Sequence, residues 1–219
     1  MFTVTPATPA TPATSAQGAG FTLVELMLGL AMFGVLLAVG VPKMTNWTLA
    51  VKAASAGELY AEGFRLARQQ ALGHNAASRI VLTPNLGNGQ NDWQVDLCFP
   101  QPGVPCSDDS GSWSTISAVA VGDPEGAAGY RSVFRSAAAL PQAEVLRPTL
   151  LPEGASSIYF TALGWVDTGF GQRLTRIRFD PAAAYAASVR QSAVNVNLAG
   201  TASTCDPSVA ITDSRGCPP

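Results

Sequence analysis

Apolar residues fall into three regimes along this chain. From Phe21 to Val41 they are almost unbroken: FTLVELMLGLAMFGVLLAVGV. As a helix rising about 1.5 Å per residue, such a run spans roughly 31 Å, about one hydrocarbon core. A secretory signal has a shorter apolar core, and no A-x-A site follows this one. The reading is a single membrane-spanning helix over 21–42. Pro42, with Gly34 and Gly40 just before it, should be its kink. Over 43–75 the pattern becomes amphipathic. Leu49, Ala53, Ala56, Leu59, Gly63, Leu66 or Ala67, and Gln70 or Ala71 recur at three- and four-residue steps. Lys52, Glu58, Glu62, Arg65 and Arg68 take the opposite side. Gly73-His74-Asn75 should end the helix, with His74 a last-turn residue.

The third regime, 76–219, is strand-like. Strands are predicted at Arg79–Thr83, Trp93–Phe99, Thr115–Val121, Arg131–Ser136, Glu144–Leu151, Ser157–Ala162, Leu174–Asp180, Ala193–Leu198 and Thr201–Cys205. The first two flank a Gly/Asn-rich turn, Pro84–Asn91, and alternation is clearest in LTRIRF and VNVNL. The fold class is therefore α+β: one long N-terminal helix whose second half packs on an antiparallel sheet in a β-rich head. Residues 1–20 are low-complexity, rich in Pro, Ala and Thr, and are read as disordered or removed.

Composition narrows the function. Only 13% of residues are charged, against about 25% in an ordinary soluble domain, and the net charge is -2. No basic field for non-specific nucleic-acid binding follows from that balance. Glu25 is the only charge between Met1 and Pro42, and Lys43 and Lys52 are the only lysines. One histidine, His74, makes a His-rich metal site or a repeated acid–base machinery unexpected. No G-x-S-x-G or H-E-x-x-H accompanies it. Asp108 and Asp109 form a possible calcium contact without a full set of oxygen ligands. Asn46–Thr48 matches a glycosylation sequon beside the apolar run. The expectation is a non-enzyme with no cofactor and no metal.

Four cysteines form two local pairs, Cys98 with Cys106 and Cys205 with Cys217. Neither spacing is the short C-x2-4-C of a zinc site. Near a membrane segment, they read as disulfides made in an oxidising compartment; four buried free thiols are the alternative.

The heptapeptide Gly20-Phe21-Thr22-Leu23-Val24-Glu25-Leu26 resembles the cleavage and methylation motif of type IV prepilins and type II secretion pseudopilins. The resemblance implies that 1–20 is a leader cut by prepilin peptidase between Gly20 and Phe21. It implies N-methylation of Phe21. It also implies a subunit-assembly role for Glu25, whose carboxylate would pair with the new ammonium of a neighbouring subunit, the two charges offsetting each other's desolvation. Helices of this family partly melt in filaments near the position of Pro42. Prepilin leaders usually end in Lys or Arg; this one carries neither.

The head extends the likeness. Leu66-Ala67-Arg68-Gln69-Gln70-Ala71, Leu146-Arg147-Pro148 before Leu151-Pro152-Glu153-Gly154, Tyr159-Phe160-Thr161-Ala162-Leu163-Gly164, and Val194-Asn195-Val196-Asn197-Leu198-Ala199-Gly200 resemble the minor pilin/pseudopilin H family. That family holds the FimT and FimU minor pilins and the GspH pseudopilins. The tail from Cys205 to Cys217 is more similar to the cysteine-closed ends of FimT-like pilus proteins. In DNA-binding members a Gly-Arg-x-Arg motif follows the penultimate strand; here the matching positions read Gly200-Thr201-Ala202-Ser203. DNA binding is not carried over, and Arg173, Arg176 and Arg178 remain as weak DNA or anion candidates.

The resemblance implies a minor pilin in a type IV pilus priming or tip complex. The alternative is a minor pseudopilin of the type II secretion system, and a membrane-anchored binding module or enzyme is a third reading. Implied partners are other minor and major pilins or pseudopilins, prepilin peptidase, the inner-membrane assembly platform and membrane lipid. The implied place is the bacterial inner membrane, single-pass, with the head in the periplasm, and then the filament.

Overall fold

The computed structural model describes residues 20–108 and 112–218, apart from the side chain of Pro42. The leader before Gly20, and Asp109, lie outside the described residues. The chain divides after Lys43 into two compact units.

Helix α1, Leu23–His74, is 52 residues long. Its start is capped: Thr22 Oγ1 accepts the Glu25 backbone N–H at 3.2 Å, and Leu26 N–H donates to Thr22 O at 3.1 Å. Its end is closed by Asn75, which takes a left-handed φ of 48°. That turn lets Ala76 N–H reach back to Ala71 O at 3.1 Å, the six-to-one bond of a Schellman cap. The stop expected at Gly73-His74-Asn75 thus falls on the asparagine, whose short polar side chain tolerates this conformation.

Eight strands follow among the described residues: β1 Ala77–Pro84, β2 Asn91–Cys98, β3 Val133–Arg135, β4 Leu146–Leu151, β5 Ser157–Phe160, β6 Arg176–Pro181, β7 Ser192–Val196 and β8 Ala202–Cys205. They build two antiparallel four-stranded sheets, ordered β3-β2-β1-β5 and β4-β6-β7-β8, where the sequence patterning implied a single one. In the first sheet Ile80 faces Val95 and Leu82 faces Trp93 across β1–β2. The second pairs Ile177 with Leu150 and with Val194. The chain changes sheet at β4, returns at β5 to pair with β1, and leaves again at β6. Period-2 alternation marks strands but carries no information about which strand is a neighbour.

Thr115–Val121 is not a strand. Thr115 Oγ1 accepts the Ala118 N–H at 2.9 Å, and Thr115 N–H donates to Ala118 O at 2.8 Å. This local turn satisfies the backbone groups that a strand would have offered to a ladder.

The second half of α1 packs on both sheets. Ala53, Ala56, Tyr60, Ala61, Phe64, Ala67 and Ala71 share one core with Ile80, Trp93 and Val95 of the first sheet and with Ile177, Phe179 and Val194 of the second. The expected stripe is shifted around the helix. Leu59 and Leu66 are only partly buried, whereas Tyr60 and Phe64 have no exposure. Two glycines permit the close approach. A Cβ on Gly57 would meet Thr204 Cγ2 of β8 at 3.3 Å, and one on Gly63 would meet Ile80 Cδ1 of β1 at 2.6 Å. With the helix surface lowered at these points, the two aromatic rings become its deepest side chains.

Both cysteine pairs are joined, Cys98 to Cys106 and Cys205 to Cys217. The first cystine sits in a satellite core with Trp113, Tyr159 and Phe170.

Candidate functional site

Three of the residues singled out by the sequence, Gly20, Phe21 and Glu25, lie at the start of α1. Thr22-Leu23-Val24-Glu25 has the S/T-x-x-E form of a capping box, and the Thr22 half of that box is made. Glu25 is therefore the third residue of the helix. It is exposed, and it stands where the positive end of the helix dipole favours an acid. Gly20 and Phe21 precede the cap, and Phe21 is 83% exposed. One short motif thus both starts the helix and presents the Gly20–Phe21 bond outside it, where backbone is accessible.

Every residue from Phe21 to Val41 is exposed. An 18-residue window of α1 reaches a mean hydropathy of 2.3 with none of it buried. A soluble core helix of that character would be covered by its own fold. This segment has the length and character of a membrane anchor or signal. The helical run passes through position 42 without interruption.

The arginine candidates are not brought together as a free cationic patch. Arg176 and Arg178 do share the outer side of β6, as alternation requires. However, Arg178 Nε is paired with Asp180 Oδ2 at 2.7 Å. Arg176 donates to Asn195 Oδ1 at 3.4 Å and to the carbonyl of Pro218 in the disulfide-closed tail. Arg173 is half-buried in the loop before β6, and its Nε has no hydrogen-bond partner among the described residues.

One polar cluster of the head was not anticipated. Arg79 on β1 donates through Nε to Asp96 Oδ2 on β2 at 2.9 Å, and its Nη1 lies 3.5 Å from Asp108 Oδ1. The register Arg79↔Asp96 makes the first pair a directly opposed cross-strand pair. The Asp96 side chain is 2% exposed. The Arg79 guanidinium lies 4.4 Å from the Trp113 ring centroid. Tyr159 stacks on Phe170 at 3.7 Å and donates its hydroxyl proton to Asp108. Burial, and then that bond to Asp108, push the Tyr159 phenol above its ordinary value. The cluster ties the segment after the Cys98–Cys106 loop to the outer side of the first sheet. Asp108 is engaged here. Among the described residues no group of three or more His, Cys, Asp or Glu side chains could hold a metal ion. His74 stands edge-on to Tyr130 at 5.5 Å. Sequence reading missed the Arg79 cluster because its members are spread from β1 to the loop before β6; only the opposed register of the two hairpin strands could have signalled the Arg79–Asp96 part.

No family model, curated protein or solved structure matches the chain. The architecture itself is pilin-like: a 52-residue N-terminal helix, apolar in its first half, packed by its second half on antiparallel sheets.

Proposed function

We propose that the chain is a minor pilin: a non-catalytic subunit, processed by prepilin peptidase between Gly20 and Phe21 and incorporated into a type IV pilus priming or tip complex. The observation that carries the reading is the fully exposed apolar segment Phe21–Val41, opening directly after Gly20 on a helix capped by Thr22 with Glu25 in its first turn. Such a segment needs lipid or neighbouring helices to cover it. A filament supplies the second after a membrane has supplied the first. The carboxylate of Glu25, exposed one turn inside the cap, is available to the ammonium of another subunit. The tail closed by Cys205 and Cys217 favours the pilus over the pseudopilus of type II secretion, which would use the same anchor and fold.

Mass spectrometry of the membrane-extracted, unreduced protein tests the reading. A mature terminus at N-methyl-Phe21, with the mass deficit of two disulfides, is expected. An intact Met1 terminus on the extracted chain would overturn the processing step and the assembly mechanism with it. Recovery of the protein in sheared pili, and its absence from a secretion pseudopilus, separates the two machines.

A further inference from the structure

The two disulfides hold unlike segments. Cys98 has no exposure and lies with Trp113 and Tyr159 in a satellite core, against which Cys106 also packs. Cys205 and Cys217 are both partly exposed and belong to none of the hydrophobic clusters. They close the arm that follows β8. No described residue from 206 to 218 joins a hydrophobic cluster either.

The backbone bonds of this arm close on itself. Asp206 N–H donates to Arg215 O at 2.7 Å, Asp213 N–H to Ala210 O at 2.9 Å and Gly216 N–H to Asp213 O at 2.9 Å. Among its side chains, Asp206 accepts the Ser208 N–H at 2.9 Å and Asp213 holds the Arg215 guanidinium at 2.8 Å. Toward the second sheet, Arg176 donates to the Pro218 carbonyl. Elsewhere Asp206, Val209 and Arg215 face Ala186 and Arg190 across an open cleft. Covalent closure, rather than buried apolar surface, keeps the arm folded against the head.

Burial also governs how each disulfide exchanges. A thiolate breaks the bond by attacking one sulfur and expelling the other as thiolate. At the first bond Cys98 is out of reach. Attack on Cys106 would expel the Cys98 thiolate into an apolar site, which disfavours the charged form. At the second bond either sulfur is open to attack, and either departing thiolate meets water.

We infer that residues 206–218 form a redox-releasable arm: a dithiol opens Cys205–Cys217 selectively, the arm leaves the second sheet, and the head stays folded with Cys98–Cys106 closed. One thiolate of the dithiol attacks Cys217 Sγ, the S–S bond breaks, and Cys205 leaves as thiolate and takes a proton from water. The second thiol of the reagent attacks the mixed disulfide and expels Cys217. The protein gains two electrons, and the dithiol becomes its own disulfide. Opening removes the Pro218 carbonyl from Arg176 and leaves it Asn195 Oδ1. An oxidising compartment holds the arm closed.

The test titrates the oxidised full chain, in detergent micelles, with dithiothreitol. Alkylation with peptide mapping reads each cysteine, and hydrogen exchange reads the backbone. Cys205 and Cys217 are expected to be alkylated at least about tenfold faster than Cys98 and Cys106. The amides of Asp206, Asp213 and Gly216 should lose protection over the same dithiol range, while those of β1 and β6 keep theirs. Equal rates, or earlier alkylation of Cys98 and Cys106, would overturn the selectivity. Arm amides that stay protected after selective reduction would overturn the release. A Cys205→Ser/Cys217→Ser chain reaches the open state without reagent. Its arm should exchange freely on a head whose β1 and β6 amides match wild type; loss of protection throughout that head would overturn the independence of the arm.

Discussion

The hydroxyl of Tyr60, on α1, donates to the carbonyl oxygen of Asn91 at 2.7 Å and accepts the backbone N–H of the same residue at 3.1 Å. The first residue of β2 is thereby closed by a helix side chain. The same ring stacks on Phe179 of β6 at a centroid distance of 5.4 Å. One residue of the helix therefore joins the two sheets.

Tyr60→Phe keeps the ring and removes both hydrogen bonds, leaving two backbone groups of Asn91 without that partner. A loss of about 1–3 kcal/mol is expected, read as a lower denaturant midpoint for the full chain in detergent. The phenol also sets a pH dependence. Burial raises the Tyr60 pKa, and it pushes that of Tyr130 from 10.0 up to about 12. The folded state therefore holds these protons more tightly than the unfolded chain. Their contribution is complete below pH 10 and is lost as pH climbs from 10 toward 12. A Tyr60→Phe/Tyr130→Phe chain should lose less stability than wild type over that window; parallel pH curves would contradict the assignment.

Gly63 lies where the helix crosses the first sheet. A Cβ there would stand 2.6 Å from Ile80 Cδ1 and 3.0 Å from Trp93 Cδ2, two side chains that are themselves fully packed. Gly63→Val should cost about 1–3 kcal/mol through overpacking. Gly73, with nothing within 4 Å of a Cβ, is the control. Gly73→Ala should be neutral or stabilising by up to about 1 kcal/mol. Thermal unfolding of the two variants side by side checks the sign at each position.

Arg79 and Asp96 form a pair that is largely out of water, with side-chain exposures of 18% and 2%. Removing one partner strands the other, so Arg79→Ala is expected to destabilise the head by about 3 kcal/mol or more. Gln94 Nε2, which donates to Asp96 Oδ1 at 2.7 Å, remains as partial compensation. Changing both residues together, Arg79→Met with Asp96→Leu, should recover much of the loss. A double variant no better than the single one would argue against an uncompensated charge as the cause.

Glu25 and Thr22 separate two roles of one motif. Thr22→Ala deletes the cap and should fray the first turn, at about 1 kcal/mol. Glu25→Ala leaves Thr22 Oγ1 and the Glu25 backbone bond in place. Under the proposed function, the Glu25 variant stays in the membrane but is missing from sheared filaments. Normal recovery there would sink the pairing role.

Much of this protein is legible in one dimension. A run of exposed apolar residues, a resumed amphipathic period and eight of nine strand segments follow from local patterning, because helix and strand periods are properties of neighbouring residues. The cysteine pairs were legible for the same reason: each partner lies within twelve residues of the other. The arginine candidates were legible only as positions on a strand; their engagement with Asp180, Asn195 and the tail carbonyl depends on side chains the alternation does not describe.

Contacts between distant segments were decided by the tertiary structure. The split into two sheets required β5 to pair with β1 rather than with β4 or β6. The depth of Tyr60 and Phe64, in place of Leu59 and Leu66, required both sheets to close on a helix lowered at Gly57 and Gly63. The Arg79 cluster required the β1–β2 register and a loop folded over it. Local pattern sets what each segment can become; which surface it meets is a matter of packing between residues far apart in the chain, where shape and desolvation select the arrangement.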